Sequence, residues 1–217
     1  MSAPRVAWER TTTVDALAAS LRARIIDGDL PAGRRLVERE LIEAYRVARH
    51  TLRAALRALA SEGLVVVEAH RGARVARLEA PDVYALYELR TALELEAAHL
   101  ALERHGGRLP AAVHAAAARL RAACERRAAP WSEVVDAHDG LHSAIVAAAS
   151  APRIARAHAT LAGETRLFLV QLRPHWTLER MADDHARLVA DLEAHGPAPL
   201  RAHLRESAEV VAAAAGG

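Results

Sequence analysis

Arg49, Arg53 and Arg57 recur at every fourth residue, with His50 beside the first of them. On a helical wheel they share one arc, and Leu52, Ala55, Leu56 and Leu59 share the adjoining arc. The spacing predicts a helix from about Arg49 to Glu62 with one apolar and one cationic side. Three guanidinia on one face repel each other. Two readings remain: a solvated basic face, or a face laid against a nucleic acid. On duplex DNA, arginine is the commonest bidentate reader of guanine, and arginines off the base edges neutralise phosphates.

The chain's 12 histidines are a second reservoir of chemistry. In a helix predicted over 131–149, His138 and His142 lie i, i+4 within the apolar stripe of Val134, Leu141 and Ile145. In a helix over 177–195, His185 sits at the centre of a stripe with Met181, Leu188 and Leu192. In the last helix, over 198–213, His203 lies on the inner side with Leu200, Ser207 and Val210. Four imidazoles on three helices thus face one interior. Each is either a core histidine satisfied by a hydrogen bond or a metal ligand. A divalent ion satisfies several buried imidazoles at once. Imidazole suits zinc, nickel, copper or iron, with zinc or nickel the expected ions. His158 falls on an apolar arc and is a rival ligand. His99, His105, His114, His175 and His195 read as peripheral.

His138-Asp139-Gly140-Leu141-His142 also resembles the zinc-peptidase pattern HExxH, with Asp at the general-base position. Asp is shorter than Glu, and Gly140 weakens the helix. No glycine-rich phosphate loop or nucleophile elbow accompanies it, so an enzyme is not expected.

These residues need a scaffold, and its outline is readable. Thr11 to Thr13 offer N-caps for a helix to about Ile26. Asp27-Gly28-Asp29 stops it. A short helix spans about Glu38 to Tyr45, the arginine helix follows, and Gly63 ends it. Leu64–Glu68 and Ala73–Arg77 read as a hairpin whose tip is His70-Arg71-Gly72. Beyond Pro81 only helices are predicted, over about 82–104, 110–128, 131–149, 151–173, 177–195 and 198–213. The fold class is mainly α: an N-terminal winged helix-turn-helix with a small β-hairpin, then an all-α bundle. The expected domains are 11–78 and 81–215, with residues 1–10 as a loose arm. Residues 1–77 hold 14 Arg against 9 acids, and residues 78–217 hold 15 Arg against 18 acids. A basic front and an acidic back fit a nucleic-acid-binding part joined to something else. Cys124 is the single cysteine, which excludes an intrachain disulfide and a cysteine zinc site. No secretory signal or membrane-length apolar run is present, so a cytoplasmic location is expected.

Glu38-Arg39-Glu40, the run Arg49–Leu64 and His70–Val75 occur in order with consistent gaps. Together they resemble the GntR family of bacterial transcription regulators. The resemblance implies operator contacts by Arg39, Arg49, Thr51, Arg53 and Gly72, with His50 and Arg71 beside them. Gly72 also makes independent sense, because a wing tip approaching DNA closely favours a residue without a Cβ. The family usually has Gly near position 46 and Ser at 48, where this chain has Arg46 and Ala48.

Tyr87–Leu102, His138–Pro152 and Asp183–Gly196 resemble the FCD effector domain of the FadR subgroup. Many such domains bind a divalent metal through an Asp-x3-His pair and two later histidines. The resemblance matches His138 to the Asp, and His142 and His185 directly. It matches His203 if a helical turn is missing before it. It further implies a small carboxylate effector beside the metal, with Arg90 and Arg166 as effector-binding candidates. A homodimer on a palindromic double-stranded operator follows, expected to repress. The effector's signal would pass through the short Leu78–Pro81 joint. A direct metal-ion sensor is the alternative, and a zinc-dependent hydrolase the more distant one.

Overall fold

The computed structural model describes residues 12–68, 72–126 and 128–215. The expected arm over 1–10, and His70 and Arg71 at the wing tip, lie outside the described residues.

Helix α1 (Thr13–Asp27) starts in a capping box: the Thr12 side chain accepts from Asp15 N, and Asp15 answers to Thr12 N. It ends at Gly28, in the left-handed conformation at φ 93°. Helix α2 (Glu38–Tyr45) ends at Arg46, with φ 52° and ψ 43°. An L side chain pays about 1–2 kcal/mol for that region, which explains why glycine suits the position. Helix α3 (Arg49–Ser61) begins at Ala48, which makes no side-chain capping bond. Leu52, Ala55, Leu56 and Leu59 are its buried face, as the wheel implied.

The sheet has three strands rather than two. Strand β1 (Arg35–Leu36) was not legible in sequence, and it pairs antiparallel with β3 (Gly72–Val75). Strand β2 (Val65–Glu68) pairs on the other side of β3, giving the order β1-β3-β2. Two residues are too few for a periodicity signal; β1 exists because β3 offers it a partner edge.

Seven helices follow: α4 (Ala80–Arg104), α5 (Ala111–Glu125), α6 (Trp131–Ala148), α7 (Pro152–Ala159), α8 (Ala162–Leu172), α9 (Leu178–His195) and α10 (Ala198–Ala215). The long α4 packs against α6 and α10, and α5 lies against α6 and α9. One predicted helix, 151–173, is two. It breaks where the Thr160 hydroxyl donates to the Ala157 carbonyl at 2.7 Å and Leu161 N bonds back to His158 O. Just beyond the break, α8 meets the end of α3, about 100 residues earlier in the chain. A Cβ on Gly163, in the first turn of α8, would stand 1.5 Å from the Glu62 carbonyl oxygen at the end of α3. Only glycine lets α8 approach the N-terminal module this closely.

The two parts join more broadly than through Leu78–Pro81. Asp27, at the end of α1, accepts from Ser132 N at 2.8 Å and from Ser132 Oγ at 3.3 Å. It thereby caps α6, whose own N-cap is Pro130 and makes no side-chain capping bond. Arg173 donates to the Asp27 carbonyl at 3.3 Å. Gln171 of α8 brackets the linker, accepting from Leu78 N at 3.2 Å and donating to Leu78 O at 2.9 Å. The apolar core runs continuously from Leu21 through Leu78 to Leu204. No helix among the described residues is long and apolar enough to cross a membrane.

Candidate functional site

On α3, Arg49, His50, Arg53 and Arg57 are exposed and Thr51 is half-buried; Arg39 is exposed on α2. Arg53 is not a free cation. Its Nε donates to Glu38 Oε1 at 2.8 Å. Pairing each cation was not part of the wheel argument, because Glu38 comes from a different helix. Both partners of that bond are solvent-facing, so the pair is screened and exchangeable for a phosphate. Gly72 opens β3 with φ 88°, exposed, with nothing within 4 Å of where a Cβ would stand. A groove between α3 and the wing is lined by Arg53, Leu56, Arg57, Val67 and Gly72. Val67 is 52% exposed in it.

The second site is in the bundle interior. His138 and His142 on α6 and His185 on α9 are buried, and one ligand atom from each lies within 4.8 Å of the others. His203 on α10, partly buried, is not in that three-residue cluster, but its ring centroid is 4.6 Å from that of His185 and 5.7 Å from that of His142. His158 does not join them. Its Nε2 points instead to Glu94 Oε1 at 3.2 Å. The five peripheral histidines are all exposed.

Glu94, on α4, is the residue sequence reasoning missed. It is fully buried and receives three donors: Arg90 Nε at 2.8 Å, His142 Nδ1 at 2.7 Å and His158 Nε2. A signal existed: Arg90 and Glu94 are four apart within the buried stripe of Val83, Tyr87, Ala97 and Ala101. Two charges in an apolar stripe call for each other. Burial works against ionising Glu94, but Arg90 and His142 outweigh it and hold its carboxyl well below the usual range. Burial likewise opposes the Arg90 charge, and Glu94 and Tyr87 overcome that. Arg90 is therefore no surface salt bridge. It is 1% exposed, and its Nη1 is buried with no hydrogen-bond partner. Arg166 is different: its Nη2 lies 3.2 Å from Asp139 and 3.5 Å from Asp136. Asp139, the would-be base of the HExxH-like segment, is thus engaged by a cation.

Hydrogen-bond partners fix the imidazole tautomers. His185 Nδ1 lies 2.7 Å from the Met181 carbonyl, which only accepts, so Nδ1 carries the proton. His142 Nδ1 donates to the ionised Glu94 by the same logic. Burial, then neighbouring His142, pushes His185 down to about 3, and burial also lowers His142. Both rings are then neutral, with bare lone pairs on Nε2. Those two Nε2 atoms face each other at 3.4 Å. Two facing lone pairs attract nothing unless a cation stands between them. Nitrogens bound tetrahedrally to zinc at about 2.05 Å stand about 3.3 Å apart, so the spacing fits an ion. His138 adds a buried Nδ1 without a partner. It is lowered well below its ordinary value, first by burial and then by His142 and His185. His203 is also lowered, first by desolvation and then by His185. His142 and His185 each have a backing acceptor on Nδ1, the arrangement that orients histidine ligands in metal sites.

The fold is thus a winged helix-turn-helix packed on a helical bundle with a buried, histidine-lined interior. Residues 13–75 match the bacterial regulatory proteins of the gntR family, and residues 85–209 match the FCD domain. The chain belongs to the GntR family and carries an FCD domain as its C-terminal part. The family and these relatives are transcription regulators rather than enzymes. The HTH-type transcriptional regulator BphR of Paraburkholderia xenovorans is 39% identical over 84 residues, 39% of this chain and 34% of that protein. Across BphR and two further regulators the chain spans 34–37% of the relatives' length. A protein of Paenarthrobacter nicotinovorans named for repression of a D-xylose utilization operon is 27% identical over 87% of this chain and 82% of its own. Among solved structures, a GntR regulator from Rhodococcus sp. RHA1 superposes with a TM-score of 0.69 at 26% identity, covering 91% of this chain and 96% of that one.

Proposed function

We propose that this regulator, of the FadR subgroup, is a cytoplasmic homodimeric repressor released by a small carboxylate bound beside a divalent zinc or nickel ion. His138, His142 and His185 hold the ion, with His203 completing the set. Arg39, Arg49, His50, Thr51, Arg53, Arg71 and Gly72 meet the operator. A two-fold dimer presents one recognition helix to each half of a palindrome. The observation that carries the metal reading is the pair of Nε2 atoms at 3.4 Å, each backed by an acceptor on its own Nδ1.

The route between the sites runs through α6. This helix carries His138 and His142, and Asp27 of the DNA-binding part caps its first turn. A ligand that repositions α6 therefore pulls directly on the end of α1, while α8 bears on the end of α3 at Gly163. A shift here changes the spacing of recognition helices in a dimer, provided the ligand binds the two states with different affinity. Elemental analysis of purified protein tests the site. Stoichiometric zinc or nickel is expected in wild type and absent from His142→Ala. Metal-free wild type of normal stability would return these histidines to core packing. Direct metal sensing is the second reading, favoured by the position of His138 and His142 on the helix that Asp27 caps; operator affinity that follows the ion with no carboxylate present would select it.

A further inference from the structure

The wing sheet carries a charge pattern that folding alone does not favour. Arg35 of β1 stands directly opposite Arg74 of β3, and Val66 of β2 stands opposite Arg74 on its other side. All three are exposed. Leu36, Val65, Ala73 and Val75 alternate with them and are buried, so they form the face packed on the helices. Like charges directly opposite each other in a sheet are destabilising. A valine occupies the flanking position where an acid would neutralise the pair.

Arg77 adds a third exposed cation, lining one hollow with Gly33, Val66 and Arg74. Two acids stand nearby. Glu68 Oε1 lies 2.8 Å from Arg74 Nη2, and Glu79 lines the hollow at the start of α4. This face is also continuous with the wing tip. Gly72 opens the same strand on the same side as Arg74, two residues and roughly 7 Å away, and β1 lies about 4.8 Å further across the ladder. A phosphate backbone that comes up to Gly72 is therefore within reach of extended side chains at Arg74 and Arg35.

Resting on the operator reading above, we infer that the outer face of the wing sheet is a second phosphate-binding surface, on which Arg35, Arg74 and Arg77 hold the duplex beside the wing tip. It lies on the side of the sheet away from α3 and is separate from the arginines of that helix. It adds affinity and fixes the angle of the wing, and it reads no bases, because contacts to phosphates carry no sequence information directly. A phosphate standing between Arg35 and Arg74 also relieves the repulsion that the free sheet carries.

The test compares the full chain with a double variant, Arg35→Gln with Arg74→Gln, across a salt series. The probes are DNA from upstream of the protein's own gene and a scrambled duplex of equal length. Each lost phosphate contact makes the slope of log affinity against log salt shallower by about 0.9. The double variant is expected to lose a slope of roughly 1.8 and to bind both duplexes about tenfold more weakly at low salt. The preference between the two duplexes should not change. Arg35→Lys with Arg74→Lys should keep the wild-type slope. In thermal melts the Gln variant should unfold at or above the wild-type temperature, because the like-charge pair is gone. Wild-type slope and affinity in the Gln variant would overturn the inference, return this face to solvent and leave the recognition-helix assignment standing. A loss of sequence preference at unchanged slope would overturn it too, by making these arginines base readers. Wild type that binds neither duplex removes the operator reading and the inference together.

Discussion

On α3 the functional side chains are neighbours in sequence and stand in solvent. In the bundle they are buried and meet from far apart: His142 and His185 are separated by 43 positions, yet their Nε2 atoms are 3.4 Å apart. The arginine face needs only a helix; its cations are exposed, and Arg53 holds its acid partner, Glu38, at the surface. The histidine site needs α4, α6, α9 and α10 to be packed first. Its charges are balanced one against one inside the protein, so every member has a structural cost when removed. A change on α3 should therefore alter binding and leave stability alone, and a change in the interior should alter stability first.

The largest expected effect is at Glu94. Glu94→Ala leaves the Arg90 charge buried without its partner, and unfolding in urea should show a loss of about 3–5 kcal/mol. A loss under about 1 kcal/mol would mean that water replaces the carboxylate and that the interior is less closed than its burial indicates. On the other side of the comparison, Arg49→Ala with Arg53→Ala should weaken binding to DNA upstream of the protein's own gene. Each lost guanine contact removes about 1–3 kcal/mol, while stability should stay within about 0.5 kcal/mol of wild type. Binding as tight as wild type would remove the recognition-helix assignment.

Acid should separate the regions further. The cluster histidines titrate below free imidazole because they are buried, His185 at about 3. Below pH 6.5 the unfolded chain takes up protons that the folded chain refuses, so stability falls as pH drops from about 6.5 towards 3. The slope is about 1.4 kcal/mol per pH unit for each histidine involved. Thermal melts of metal-free protein across this window should show the fall, and His185→Gln should flatten it. The smallest effect is at the turn before α3. Arg46 is exposed and left-handed, so Arg46→Gly should raise stability by about 1 kcal/mol or less.

Much of this was legible in the chain. The α3 wheel placed Leu52, Ala55, Leu56 and Leu59 inside and the arginines outside, because local periodicity decides both. The same reasoning put His138, His142 and His185 on buried stripes. What stayed hidden was tertiary. Strand β1 is two residues recruited by β3. The break between α7 and α8 lies beside the close approach of Gly163 to Glu62, a contact that no local pattern encodes. His158 fell on the right arc but faces Glu94, since an arc fixes a direction and not a partner. Asp27 read only as a helix stop, and its second role as the cap of α6 depends on a residue 105 positions later.

The coupling of the two regions is tested most directly by operator affinity of the full chain with the interior site empty and then loaded with zinc and malonate or succinate. Loading is expected to change that affinity by about tenfold or more. An affinity unchanged within about twofold, with both ligands demonstrably bound, would mean that the histidine site does not govern the arginine face.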